Sequence, residues 1–265
     1  MYRSFIFLFV IPFLGCSNST TPSAESQCEQ HYKAESYQVA ARVCIEAAEL
    51  GSINSQWLLA HLHLYKLLPE ADPSVAAYWL EQAADNGHTA SQRELGKLYL
   101  WGRGVKRDPE VSLQWLKLAA REGDIDAEFF IGVLFMGSKD FKADQASAIN
   151  WFKKAASSGH KMAINNLAWI YSTSTNKSLR NGHLAVDIIL PVLKDKPDSP
   201  VFLDTLAAAY AEDEQFELAV DTQQKAIEKL SEKTSEEVRA GYLERLSAYQ
   251  ALKPWREAEP AWVED

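Results

Sequence analysis

The stretch Asp108–Gly123, DPEVSLQWLKLAAREG, decides the fold, because the chain repeats it. Trp79, Trp115 and Trp151 are each 36 residues apart (115−79 = 151−115 = 36), and Ala83-Ala84, Ala119-Ala120 and Ala155-Ala156 keep that interval. So do Gly87, Gly123 and Gly159. One further step of 36 back reaches Gly51, preceded by Ala47-Ala48, with Val43 in place of the tryptophan. A period of this size is the signature of a solenoid built from one repeated supersecondary unit.

Each unit reads as two helices. Val111, Leu113, Trp115, Leu116, Leu118, Ala119 and Ala120 cluster on one side of a 3.6-residue helix that ends at a glycine. The segment that follows, DIDAEFFIGVLFMG, is the first helix of the next unit and directs Ile131, Gly132 and Phe135 at its partner. Gly96 and Gly132 fall mid-helix, where glycine costs about 1 kcal/mol relative to alanine. The reading is a close backbone approach, met by alanines from the second helix, with the tryptophan filling the space between units. A lone hairpin cannot bury both faces, so each unit needs the next.

The string GHTASQRELGKLYLWGRGVKRDPEVSLQWLKLAAREG, Gly87 to Gly123, resembles a Sel-like repeat, the longer relative of the tetratricopeptide repeat. The family marks stand in order: Leu95-Gly96, Tyr99, Gly102, Gly104-Val105, Asp108, Trp115, Ala119-Ala120 and Gly123. The copy from Gly123 to Gly159 replaces the Gly-x-Gly-Val loop by GSKDFKAD, and the copy from Gly51 has LLPEADP there. The resemblance implies an all-α fold, a right-handed α-solenoid of antiparallel helix pairs, with the Sel-like array over 27–175. Further on, VFLDTLAAAYAEDEQFELAVDTQQKAI resembles a tetratricopeptide repeat: Leu206, Ala207, Tyr210, Ala219 and Ala226 fall on its small and large positions, and Glu212 to Gln215 makes its turn. The region 176–252 is read as this repeat and a capping helix, and 253–265 as a tail.

The composition agrees. With 265 residues, 47% hydrophobic and 24% charged, the chain can form a continuous core, and strand signals are weak throughout. A net charge of −9 without a Lys/Arg-rich run excludes a nucleic-acid binder, which needs a clustered basic face.

Met1 to Cys16, MYRSFIFLFVIPFLGC, has one basic residue and an apolar run from Phe5 to Leu14. Ten apolar positions fall short of the roughly 20 a helix needs to span a bilayer. Residues 1–15 are read as an export signal. Leu14-Gly15-Cys16 resembles a bacterial lipobox, with Phe13 departing from the usual leucine three positions before the cysteine. The resemblance implies lipidation of Cys16, with an ordinary signal peptide as the alternative. Ser17 is what similar lipoproteins sorted to the outer membrane carry. The polar run SNSTTPSAES completes a disordered tether, 16–26.

Cys28 and Cys44 then remain, and an exported protein meets an oxidising compartment. They lie on adjacent helices at equal distances from a turn near Ser36 (36−28 = 44−36 = 8), which sets them opposite each other. A disulfide is expected there, with two buried free thiols as the alternative. Closing about 15 residues would contribute on the order of 3 kcal/mol by the loop-entropy account. His61 and His63, two apart on a helix, point to different faces and have no ligand cluster beside them, so no metal site is expected. Gly102-Arg103-Gly104 lacks phosphate-loop spacing and reads as the turn within a unit. Ser172 to Gly182, STSTNKSLRNG, is a polar break where the register drifts, and Pro191 in the following helix predicts a kink or an early end. The last helix, about 235–252, is expected to pack Val238, Tyr242, Leu246 and Tyr249 on one face. Trp255 is expected to fold back over it, while Trp262 carries no reading.

No catalytic arrangement or cofactor motif is present: Gly-x-Ser-x-Gly, His-Glu-x-x-His and Cys-x-x-Cys are all missing. The resemblance therefore implies recognition of another chain on a concave surface. In the tetratricopeptide family the inward positions of the first helix lie two before, two after and six after its core leucine. With Leu59 these become Trp57, His61 and Tyr65; with Leu95, Arg93, Lys97 and Trp101; with Ile131, Phe129, Val133 and Gly137; with Leu167, Asn165, Trp169 and Thr173. Aromatics with flanking basic residues suit a peptide-binding groove, unless tighter winding buries them between units. The expectation is a non-enzymatic lipoprotein scaffold on the periplasmic face of a bacterial outer membrane, binding a protein or peptide of an envelope assembly. The alternative is a periplasmic regulator that restrains a membrane sensor or protease.

Overall fold

The computed structural model describes residues 22–257. The expected export signal (1–15), Cys16, Ser17 and Trp262 lie outside the described residues. Within them the chain is six helix pairs and a terminal helix. The pairs are α1 (Ala24–Lys33) with α2 (Tyr37–Glu49), α3 (Ile53–Leu64) with α4 (Pro73–Asp85), and α5 (Thr89–Trp101) with α6 (Pro109–Arg121). They continue as α7 (Ile125–Phe135) with α8 (Gln145–Ser157), α9 (Lys161–Thr173) with α10 (Gly182–Asp195), and α11 (Pro200–Glu212) with α12 (Phe216–Glu228), before α13 (Glu236–Gln250). Each helix packs on the next, and odd-numbered helices also touch directly, α1 with α3, α5 with α7, α7 with α9 and α9 with α11. The odd helices form the tighter, inner layer of an all-α solenoid.

Helix starts repeat with the period. Ser52, His88, Asp124 and His160, 36 apart, begin α3, α5, α7 and α9, and each side chain accepts a backbone N–H three residues on. Asp72, Asp108 and Asp144 cap α4, α6 and α8, accepting backbone N–H groups two or three residues on, with Pro73 and Pro109 at the first helical position. Such caps satisfy donors that a helix cannot pair internally. Between pairs, Gly51, Gly87, Gly123 and Gly159 adopt φ of +92°, +82°, +84° and +83°, the left-handed exit that only glycine takes at no steric cost. α1 begins at Ala24, capped by Ser23, so the expected tether ends earlier than residue 26: Ser23 accepts the Ser26 N–H and starts the helix there.

The mid-helix glycines are explained differently from the sequence reading. A Cβ on Gly96 would lie 2.7 Å from Leu116 Cγ, and one on Gly132 would lie 2.5 Å from Phe152 Cδ1. The close approach is of a large side chain onto helix backbone, one residue past the tryptophan, and the paired alanines are not what fills it. Ser112 Oγ adds a hydrogen bond of 2.7 Å to the Gly96 carbonyl. In the pair before, Ala60 and Leu80 take these places, both fully buried. Trp79 sits between two units, packed against both of their cores.

The core does not break at the polar segment after α9. One buried cluster runs from Ala148 on α8 to Tyr242 on α13, and a short 3-10 turn, Lys177–Leu179, bridges the gap. α10 continues past Pro191 to Asp195, four residues beyond, so the early end is not seen. On α13, Tyr242 and Tyr249 are buried as expected, but Val238, in the first turn of the helix, is 49% exposed.

Candidate interaction face

The inner layer presents three patches. At the first, Tyr32 and His61 Nδ1 are hydrogen-bonded at 2.6 Å, and the His61 ring stacks on Tyr65 at 4.2 Å. Trp57 lies 5.3 Å from His88, between units, and only Tyr65 of this group is open, at 54%. Burial lowers the His61 and His88 pKa values from their ordinary 6.5, opposed at His61 by the Glu94 carboxylate and helped at His88 by Arg93.

In the second patch Trp101 is 55% exposed and meets Phe130 edge to face at 5.4 Å, with Lys97 Nζ 5.2 Å above the Phe130 ring. The basic residues here are not free to meet a ligand. Arg93 pairs with Asp124 at 2.7 Å and Glu94 at 3.2 Å, and Lys97 pairs with Glu94 at 2.8 Å. Deeper along, Phe129 stacks on His160 at 4.4 Å, whose Nε2 is 3.3 Å from Asp126. Phe129 and Val133 pack against the main core. Asn165, expected in the groove, is 5% exposed and belongs to the interior, on the odd helix that packs most closely against the next one.

The third patch is covered by the chain itself. Arg245 on α13 is bonded to Asp204 at 2.8 Å, and its guanidinium lies 4.9 Å from the Tyr242 ring, 5.5 Å from Trp169 and 5.9 Å from Trp255. Burial, with the Asp204 carboxylate, pushes the Tyr242 hydroxyl up to about 12. Trp169, predicted to line the groove, therefore lies beneath Arg245 of α13, and the folded-back tail reaches the end of the same helix, where the Thr173 carbonyl accepts the Glu257 N–H at 3.0 Å.

Cys28 and Cys44 are joined by a disulfide with Cα atoms 4.7 Å apart, pinning α1 to α2. Cys44 stands 36 residues before Leu80, so the bridge occupies the place of the large side chain that fills each later unit (80−44 = 36). Sequence reasoning missed Phe130, His88 and His160. Phe130 adjoins the inward Phe129, and both histidines directly follow the turn glycines Gly87 and Gly159, which is the signal that marks them as caps.

The Sel1 repeat family model matches three consecutive segments, residues 53–88, 89–124 and 125–160. The chain contains a Sel1 repeat array. The boundaries fall on the capped starts of α3, α5 and α7, so each Sel1 repeat is one helix pair with its exit glycine. Among solved structures the fold is similar to a Sel1 repeat protein from Oxalobacter formigenes, at TM-score 0.61 and 21% identity over 84% of this chain and 98% of that one. It is also similar to c5321, described as a protective antigen of uropathogenic Escherichia coli strains, at TM-score 0.62 and 20% identity over 84% of this chain. This chain spans 53% of the c5321 chain. No curated protein sequence matches it. The α1–α2 pair and the helices from α9 onward extend the solenoid on either side of the matched repeats.

Proposed function

We propose that this Sel1 repeat protein is a non-enzymatic scaffold that captures a protein partner on its inner face, at the end formed by α3, α5 and α7. Trp101 carries the reading: an indole more than half exposed on the inner layer, beside Phe130 and in line with the open Tyr65. Exposed aromatics braced by neighbours are what binding hot spots use. Because Arg93 and Lys97 are already paired, recognition rests on aromatic contact and not on a free basic stripe.

The lipobox-like Leu14-Gly15-Cys16 and Ser17 favour anchoring at the outer membrane, facing the periplasm, and the disulfide suits an oxidising compartment. The partner is then a component of an envelope assembly. Photo-crosslinking groups placed at Tyr65 and Trp101 in intact cells should give one shared adduct, and the same group at the outer-helix Tyr78, 54% exposed, should not. Equal labelling at all three positions would refute the inner face as the docking surface. Cys16→Ala should release the chain from the membrane fraction; retention there would refute the anchor.

A further inference from the structure

After α13 the chain turns back through Leu252, held at φ +55°, and residues 253–257 run as a strap onto α9. Its contacts are those of a bound peptide. Trp255 packs on the floor formed by Ala207, Ala208 and Ala211 with Tyr249 behind it, beside Trp169 and beneath the Arg245 guanidinium. Arg256 spans two units, its Nη2 at 2.6 Å from the Glu212 carboxylate and its Nη1 donating to the Ser172 carbonyl at 3.3 Å. Glu257 donates its backbone N–H to the Thr173 carbonyl at 3.0 Å. The strap thus crosses from the last helix, over α11, to an element 84 residues earlier in the chain. A cap for α13 alone would not need to reach so far.

We propose that the inner face of α9 and α11 is a second peptide subsite, specific for a tryptophan followed by arginine in a non-helical segment, and that residues 253–257 occupy it in cis. This rests on the inner face being a recognition surface but uses the other end of it. Each feature of the subsite has a recognition role. The row of alanines admits a flat indole, the Glu212 carboxylate selects a guanidinium, and the Thr173 carbonyl at the end of α9 fixes the backbone register. The Trp255 indole N–H is buried without an acceptor among the described residues, so this occupant leaves one of its own donors unsatisfied. A tethered occupant of this kind has an effective concentration of about millimolar, so an external segment of the same chemistry competes only when it binds better or when the strap is released.

The test is fluorescence anisotropy with a labelled peptide of the sequence Leu252–Glu257, LKPWRE, added to the full chain and to its Trp255→Ala variant. The variant should bind the peptide about tenfold or more tightly than the unaltered chain, as loss of a millimolar tethered competitor requires. The same peptide with alanine for tryptophan should bind neither. Equal affinity for both chains, or binding that ignores the peptide's tryptophan, overturns the proposal. If Trp255→Ala melts early enough to blur the comparison, Arg256→Ala, which leaves the indole in place, replaces it with the same two outcomes. Cellular crosslinks at Tyr65 and Trp101 report separately on the partner-docking end, so either reading can fail while the other stands.

Discussion

Gly132 on α7 and Phe152 on α8 fit so closely that a methyl group on the glycine would stand 2.5 Å from the phenylalanine ring. Gly132→Ala gains helix propensity of about 1 kcal/mol but forces this overlap. It should lower stability by about 1–3 kcal/mol in chemical denaturation, as overpacked cores do. Combined with Phe152→Leu, the two changes should be less damaging than their sum, giving a measurable coupling in a double-mutant cycle.

The Cys28–Cys44 bridge closes a segment of sequence separation 16 in α1 and α2, the first helix pair among the described residues. Reduction, or Cys28→Ser with Cys44→Ser, should cost about 3 kcal/mol in urea unfolding. Hydrogen exchange should rise in α1 and α2 well before it rises in α7 or α8, because unit stabilities in a solenoid are coupled mainly to neighbours.

Acid should loosen the array in a window set by its half-buried histidines. Burial places the folded-state pKa values of His61, His63 and His88 below 6.5. The unfolded chain then binds more protons between those values and 6.5, so stability is full above pH 6.5 and falls as pH drops through that window. His88→Asn keeps a side chain that caps well and removes one titrating group. Its melting temperature should fall less between pH 7 and pH 5 than that of the unaltered chain. Asp144, whose carboxyl is held below 3.8 by hydrogen bonds from Ser147, contributes only at lower pH, so the two limbs separate in a pH titration of melting temperature.

Arg245 is the partner that makes a buried Asp204 tolerable, together with Gln223 Nε2 at 2.7 Å. Arg245→Met should cost about 3–5 kcal/mol, because it leaves a carboxylate inside without its cation. Adding Asp204→Leu should recover most of that loss in calorimetry, which a purely steric role of the arginine would not allow.

The architecture was legible because the period is a packing requirement written at separated positions. Trp79, Trp115 and Trp151 mark the contact between units, and the glycines 36 apart mark the exits from α2, α4, α6 and α8. The disulfide followed from two helices and a turn of known length. The interaction face was less legible, since inward position does not decide exposure. Trp101 and Tyr65 stand open, while Thr173, at the equivalent place on α9, is 1% exposed, and α9 is the odd helix packed most closely on the next. Pairing of Arg93 with Asp124 depends on residues 31 apart and had no local signal. The strap onto the end of α9 joins residues 84 apart, and only its aromatic content hinted that the tail would return.

The two edges of the solenoid are built unequally. Antiparallel helices put the turns within pairs on one edge and the turns between pairs on the other. On the first edge Gly104 presses against the Pro73 backbone, Arg103 reaches the Leu64 carbonyl at 2.5 Å, and Arg107 holds Ser138 at 2.9 Å. On the second, Gly51, Gly87, Gly123 and Gly159 have nothing within 4 Å of where a side chain would begin. Units are tied at that rim by side chains instead, Arg93 to Asp124 at 2.7 Å and Asp126 to His160 at 3.3 Å, so a pull along the array meets backbone contact at one margin and salt-sensitive ion pairs at the other, and added salt would ease a change of curvature from the glycine side.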